Sequence, residues 1–346
     1  MDVRGEITYT RIREIGMGQG RNSHVFLAHD PQLGGQIAVK EIPKDNFPDV
    51  DAFFHEAKTM YRVAHENVVP IKCAFQTPDK ICLAMEYFEK GSLRDLTAAN
   101  PIQPKEVIRI GQDMLSGLSS IHINRFIHFD VKPSNILFSV NGHAMVADFG
   151  QTRAIGPTGV TQRPPMYVDS IPPECFDGAG IVQSDVYQAG LTLYRAVNGD
   201  KCFDAQRPNS PTEREERTIA GTFPQRNRFL PHVPRRLRTV IRKAMAVNPS
   251  DRYQSAVEFA EELGRVEFTR DWEVRTFSDG EVSWRSEHLS VATLVVDLKH
   301  AGGRRWNVEI FSDNSGRRRY RTADWRANVT LTEANRYLKS LFAELG

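Results

Sequence analysis

The chain has 346 residues, 40% of them hydrophobic and 25% charged, and its 45 Lys/Arg against 43 Asp/Glu leave a formal net charge of +2. Globular composition at this length predicts two or three domains, and the near-neutral balance offers no global field for nucleic acid or an anionic membrane. Four scattered cysteines (Cys73, Cys82, Cys175, Cys202) without CxxC spacing, a polar N-terminus and no run near ~20 apolar residues predict a cytoplasmic protein without disulfides, a zinc site or a membrane partner.

The first ninety residues read mostly as strands. "ITYTRIREIG" alternates, a Gly-rich turn follows, and "HVFLAHD" and "QIAVKEI" alternate or run apolar. One helix interrupts them, because Phe53, Ala57 and Met60 recur at helical spacing in "VDAFFHEAKTMYRVA". "NVVPIKCAFQ" and "ICLAMEYF" supply two more strands. From Gly91 helices dominate. "PKEVIRIGQDMLSGLSSIHI" carries Val107, Ile110, Met114, Leu118 and Ile121 on one face, with Pro104 near its start. "NILFSVNGHAMVAD" predicts a hairpin turning on Asn141-Gly142 as a positive-φ pair. "SDVYQAGLTLYRAV" and "RRLRTVIRKAMA" predict further helices, and residues 203–234 an exposed irregular connection. All four tryptophans (Trp272, Trp284, Trp306, Trp325) follow residue 267. There "DWEVRTF", "EVSWRSE", "LSVATLVVDL", "RWNVEIF" and "RRRYRTADW" read as strands between turn formers. A closing helix begins at the Thr330/Glu333 capping box.

Several residues along this path carry chemistry. Gly16, Gly18 and Gly20 lie between two strands, where backbone N–H groups can approach a phosphate without Cβ clashes. A plain hairpin turn explains them equally well, and the strand that follows rules out a dinucleotide fingerprint. Lys40 ends a strand and Glu56 sits sixteen residues later on the helix, a pair able to hold an amine toward phosphates. In "HFDVKPSN", Asp130 suits a general base, Lys132 suits neutralisation of a phosphoryl group, and Asn135 offers a hard oxygen for Mg²⁺. Asp148 of "DFG" is a second hard ligand.

The ordered set "GMGQG…V", "AVK", Glu56, "HFDVKPSN", "DFG", "PPE", "SDVYQAG" and "NPSDRY" resembles the eukaryotic-type (Hanks-type) Ser/Thr protein kinase family over about residues 7–265. The resemblance implies an α+β, bilobal kinase fold: a β-rich N-lobe (1–88), a helical C-lobe (89–266) and, beyond the resemblance, a small α+β accessory domain (268–346). It implies an ATP- and Mg²⁺-dependent kinase acting on protein hydroxyls. Gly16, Met17, Gly18, Gln19, Gly20, Ser23 and Val25 would then cover the ATP phosphates. Lys40 would contact the α- and β-phosphates and pair with Glu56. Val25, Ala38 and Leu137 would sandwich the adenine, with Met85 as gatekeeper and Glu86 and Phe88 at the hinge. Asp130 would be the base, Lys132 the γ-phosphate partner, and Asn135 and Asp148 the metal ligands. Lysine two positions after the base matches the Ser/Thr pattern. Glu174 should pair with Arg252, and Asp185 should anchor the catalytic loop.

The chain departs from the family at three places. Val25 lies nine residues after Gly16 instead of seven, with Ser23 where a third glycine would stand. "HFD" replaces "HRD", so Phe129 removes the arginine that meets an activation-loop phosphate. This non-RD sequence is therefore expected to work without phosphorylation of Thr152, Thr158 or Thr161. Tyr167 lies seven residues before Glu174 instead of four, which implies a short insertion in the substrate-binding loop. The altered glycine and substrate loops keep an alternative open, a nucleotide-binding pseudokinase scaffold acting through partners. Beyond Phe268 the balance is 13 Lys/Arg to 11 Asp/Glu, so the arginine clusters at 304–305 and 317–319 read more readily as solvated turns than as a nucleic-acid surface. Recruitment of a protein substrate or partner is the expected role of this region.

Overall fold

Strands β1 (Thr10–Ile15), β2 (His24–Asp30), β3 (Gly35–Pro43), β4 (Ile71–Gln76) and β5 (Lys80–Glu86) form one antiparallel sheet in the order β1-β2-β3-β5-β4. The computed structural model describes residues 6–16, 23–47, 54–277, 280–288, 291–314 and 317–345. Period-2 alternation gives β3 two faces. Ile37 and Val39 join Ala28, Cys82 and Ala84 in a small core, while Ala38 and Lys40 face the opposite side. Helix α1 (His55–Arg62) buries Ala57 and Met60 as its spacing predicts. Phe53 lies outside the described residues.

The second lobe is helical. Ser92 and Asp95 cap α2 (Leu93–Ala99) reciprocally, and Pro104 opens α3 (Pro104–Ile123), whose buried face includes Val107, Ile110, Met114, Leu118 and Ile121. Short strands follow: β6 (Phe126–Ile127), β7 (Ile136–Phe138), β8 (Ala144–Val146), β9 (Arg153–Ala154), β10 (Thr161–Gln162) and β11 (Ala179–Gly180). β6 pairs with β9, β7 with β8, and β10 with β11. In the β7–β8 turn only Gly142 is left-handed (φ 84°), and Asn141 is not, so the expected positive-φ pair is a single glycine kink. Helix α4 (Val182–Asn198) runs through the core, buried along most of its length. Helix α5 (Asp200–Asp204) runs into the stretch expected to be irregular, 203–234, which itself holds α6 (Pro211–Ile219). The start of α6 was readable: Ser210 accepts from the Glu213 N–H and Pro211 sits at its first turn. Helices α7 (Arg235–Ala244) and α8 (Ala256–Gly264) complete the lobe.

The C-terminal unit is a six-stranded antiparallel sheet of β12 (Glu273–Thr276), β13 (Val282–His288), β14 (Val291–Gly302), β15 (Arg305–Asn314), β16 (Arg317–Tyr320) and β17 (Arg326–Thr330). Its order is β12-β13-β14-β15-β16, and β17 shares the β15 edge with β16. The single strand expected over 317–325 ends at Tyr320, where a short turn held by the Arg321–Asp324 ion pair (2.8 Å) intervenes. β17 was not foreseen, because five mostly exposed residues show no apolar alternation. Helix α9 (Leu331–Leu345) starts at the Thr330/Glu333 capping box as expected. Trp272, Trp284 and Trp306 pack with Val296, Ile310, Leu338 and Phe342 in a core distinct from that of the helical lobe. The unit seats on the lobe through Trp284 Nε1, which donates to His232 Nδ1 (3.1 Å), and through Lys105 N to Asp271 Oδ1 (3.2 Å). Among the described residues no helix is long and apolar enough to cross a membrane.

Candidate active site

A cleft of ≈ 700 Å³ separates the sheet from the helical lobe. Gly16, Ser23, Val25, Ala38, Lys40, Glu56, Met85, Glu86, Phe88, Leu137, Asn135 and Asp148 all line it. So residues far apart in sequence and singled out from it come together. Met17, Gly18, Gln19 and Gly20 lie outside the described residues.

Lys40 enters from the cleft face of β3. Its ammonium donates to Glu56 Oε1 (2.7 Å) and Oε2 (3.0 Å) and to Asp148 Oδ1 (2.7 Å). Burial alone would push the Lys40 pKa down, but the two carboxylates overturn it and hold the amine charged, above its ordinary value. Burial likewise works against the charged form of Asp148, and Lys40 holds that carboxyl well below the usual carboxylate range. Asp148 Oδ2 takes no hydrogen bond among the described residues. Asp148 itself adopts a left-handed φ of 64°, two residues after the end of β8.

The catalytic-loop candidates form a second cluster. Asp130 Oδ2 accepts from Lys132 Nζ (2.7 Å) and Asn135 Nδ2 (2.9 Å), leaving Oδ1 without a partner among the described residues. Asn135 Nδ2 also donates to the Asp130 carbonyl (2.8 Å), which turns the amide oxygen the other way. The two ends of this cluster face different spaces. Asn135 lines the large cleft, while Lys132 lines a neighbouring polar cavity of ≈ 360 Å³ with Tyr167, Asp169, Arg195 and Asp200. Asp130 is hydrogen-bonded to both Asn135 and Lys132.

The loop's backbone is clamped from below by α4. Asp185 accepts from the N–H groups of His128 (2.8 Å) and Phe129 (2.8 Å), the anchoring expected of it. Gln188 adds what the sequence reading missed: its Oε1 accepts from Val131 N (3.1 Å) and its Nε2 donates to the Phe129 and Ser170 carbonyls (3.0 Å each). The signal was its place three residues after Asp185, on the same helix face. Tyr167 was also missed; its ring lies under Lys132 Nζ at 4.6 Å and helps confine the ammonium. Glu174 and Arg252 form the expected bidentate pair (2.6 and 2.8 Å), with the guanidinium fully buried.

Phe129 points away from this chemistry. It is fully buried in a left-handed conformation (φ 63°) and packs with Ile127, Ile171 and Cys175 against Ile155, Met166, Val168 and Val182. A Cβ built on Gly180 would lie 2.2 Å from Phe129 Cε1, so only glycine fits β11 beside the ring. Thr152, counted above with the loop hydroxyls, is completely buried, unlike Thr158 and Thr161.

Residues 9–263 match the protein kinase domain family. Similar curated proteins include the serine/threonine-protein kinase PrkC of Bacillus subtilis (strain 168), 30% identical over 262 residues covering 74% of this chain and 40% of that protein. The serine/threonine-protein kinase PknB of Mycobacterium leprae (strain TN) is 32% identical over 267 residues, covering 73% of this chain and 42% of that protein. The probable serine/threonine-protein kinase PknB of Lactococcus lactis subsp. lactis (strain IL1403) is 30% identical over 258 residues, covering 72% and 40%. The chain thus spans about two fifths of the length of the curated relatives it matches. With the bilobal fold, the cleft and the clamped loop all in place, the chain belongs to the protein kinase domain family.

Proposed function

We propose that the chain is a Ser/Thr protein kinase transferring the γ-phosphate of ATP to protein hydroxyls. The observation that carries this reading is that Asp130 is hydrogen-bonded both to Asn135, which lines one cavity with Asp148, and to Lys132, which lines the other with Tyr167. ATP occupies the large cleft, with Val25, Ala38 and Leu137 against the adenine, Glu86 and Phe88 at its edge, and Lys40 on its phosphates. The acceptor hydroxyl enters from the polar cavity. Its oxygen bonds to the γ-phosphorus as the bond to the β–γ bridging oxygen breaks, and Asp130 Oδ1 takes the proton. Lys132 neutralises γ-phosphate charge, and Lys40, held by Glu56, does so further back.

The donor set fits Mg²⁺. Asn135 Oδ1 and Asp148 Oδ2 are hard oxygens at the cleft wall, and two protein ligands suit an ion that completes its shell with phosphate and water. Bound there, the ion supplies charge neutralisation at the phosphates. Among the described residues no group of three or more His, Cys, Asp or Glu could hold a metal ion.

Phe129 supports a kinase that does not require activation-loop phosphorylation, because the loop is anchored by packing where the family uses a charge. The C-terminal unit recruits protein substrates, and four free cysteines suit a reducing cytoplasm. The test is label transfer from ATP with Mg²⁺, with and without cell lysate, beside Asp130→Asn. We expect transfer by the native chain and a 10²–10⁴-fold loss in the variant. Equal background from both would favour the pseudokinase scaffold.

A further inference from the structure

The polar cavity beside Lys132 is walled by charged side chains whose charges do not cancel. Arg94, Lys132, Arg195 and Arg207 line it together with Asp169, Asp200 and Asp204. Both oxygens of Asp169 are taken, Oδ1 by Arg214 Nη1 (2.6 Å) and Oδ2 by Arg207 Nε (3.0 Å). Both oxygens of Asp200 are taken as well, Oδ1 by Arg195 (2.7 Å) and Oδ2 by the Thr97 hydroxyl (2.9 Å). Asp204 Oδ1 is paired with Arg207 Nη2 (2.6 Å). Lys132 is paired with Asp130 (2.7 Å). Arg94 is left over. It is exposed, and its guanidinium has no hydrogen bond or ion pair among the described residues.

The imbalance favours one kind of occupant. A guanidinium offers five N–H donors in a planar fork and no acceptor, whereas a carboxylate only accepts. A lysine or arginine entering the cavity would meet carboxylates already neutralised and a cation that is not. A carboxylate or phosphate would meet an open fork. The fork is also held in place. Thr97, three residues further along α2, makes the bond to Asp200, which fixes the helix carrying Arg94 against the paired wall. Lys132, Pro133 and Ser134 of the catalytic loop line the same cavity, so whatever occupies it lies beside the loop that carries Asp130.

We propose that this cavity is a subsite for an anionic side chain, a carboxylate or a phosphate, flanking the acceptor hydroxyl, and that Arg94 is its specificity-determining residue. The inference rests on the kinase reading above and names the substrate class of that same site. Lys132 is held at Asp130, where it meets the γ-phosphate in that reading, so Arg94 is the cavity cation left for the peptide. The arginines paired with Asp169, Asp200 and Asp204 hold the wall and leave the net charge to Arg94.

The test uses degenerate nine-residue peptide libraries around a fixed serine or threonine. Each flanking position in turn holds Ala, Glu, phosphoserine or Lys. For the native chain we expect kcat/KM at one position to be roughly tenfold higher with Glu or phosphoserine than with Lys, with Ala between them. That preference should shrink in ~1 M salt, where screening acts within ~3 Å. The phosphoserine arm separates the two sources: a gain above that of Glu assigns the cavity to substrates already phosphorylated nearby, an equal gain to acidic sequence, and either supports the subsite. Arg94→Glu should reverse the order, making Lys the preferred residue at that position, a change that loss of folding does not produce. Arg94→Lys should retain a weaker preference for Glu. Equal use of all four residues at every position, or a preference of the native chain for Lys, overturns the subsite. A preference for Glu that survives Arg94→Glu overturns the assignment to Arg94. Transfer to none of the libraries would overturn the kinase reading itself, and this inference with it.

Discussion

The segment from His128 to Asn135 has two sides, and they are built on opposite principles. On the cleft side charge is matched by charge: Lys132 on Asp130, and across the cleft Lys40 on Glu56 and Asp148. On the underside Phe129 sits among Ile127, Ile171 and Cys175, where burial pushes even the Cys175 thiol up to about 12. The first arrangement positions groups that must meet a polyanion. The second ties the activation segment to the lobe by close packing, which neither salt nor a phosphatase can release.

The sharpest way to break the comparison is to unpair a buried charge. Glu174→Ala leaves the fully buried Arg252 guanidinium with the carbonyls of Gln183, Ala246 and Val247 and the face of the Tyr187 ring. We expect a loss of ~3–5 kcal/mol in denaturant unfolding, the range for breaking a buried pair from one side. A loss below ~1 kcal/mol would mean those carbonyls carry the cation alone.

On the apolar side the equivalent test is steric. Gly180→Ala drives a methyl into the Phe129 ring, and overpacking of this kind costs ~1–3 kcal/mol. Activity should fall with it, because the β10–β11 pairing must give way or Phe129 must move the loop that carries Asp130. Adding Phe129→Leu opens space and should restore part of both. Two losses that simply add would show that ring and glycine are not coupled.

A third region joins the comparison at the seam with the C-terminal unit, where a titratable group is buried with no acid beside it. Burial, aided by the Arg238 charge, pushes His232 down to about 3 from an ordinary 6.5. Below pH 6.5 the unfolded chain therefore binds a proton that the folded chain refuses, and stability falls as pH falls. The slope is about 1.4 kcal/mol per unit, or about 2 kcal/mol by pH 5, with nothing lost above 6.5. His232→Gln should flatten that slope between pH 7 and 5, as read by unfolding at each pH.

These regions were unequally legible in the sequence. The cleft was readable because phosphoryl chemistry needs particular residue types in a fixed order, and Lys40, Glu56, Asp130, Asn135 and Asp148 declare themselves by type. Helices α3 and α9 were readable from periodicity and caps. Gln188, Tyr167 and Gly180 were not, because each acts through a neighbour that only the fold supplies: a loop carbonyl, an ammonium, a ring edge. α6 and β17 were missed because charged surface residues hide the period of the element beneath them.

The smallest expected effect probes the apolar tether most directly. If packing around Phe129 holds the activation segment, removing the exposed Thr158 hydroxyl and the half-buried Thr161 hydroxyl should change little. Thr152 is left out of the variant, since it is fully buried and its loss would disturb the fold. Thr158→Ala with Thr161→Ala alters only the accessible sites, and initial rates on a peptide substrate should stay within about twofold. The size follows because both changes keep the backbone, including the Thr161–Gly180 pairing, and substitutions outside the core rarely exceed ~0.5 kcal/mol. A fall beyond tenfold would mean that a phosphate does organise the segment. Its receptor would then be sought at Arg153, a half-buried cation from which burial lowers the pKa and whose hydrogen bonds are to the carbonyls of Gly150 and Thr152. In that outcome the chain would have moved the phosphate contact off residue 129 instead of dispensing with it, and Arg153→Ala would reproduce the loss in the otherwise native chain.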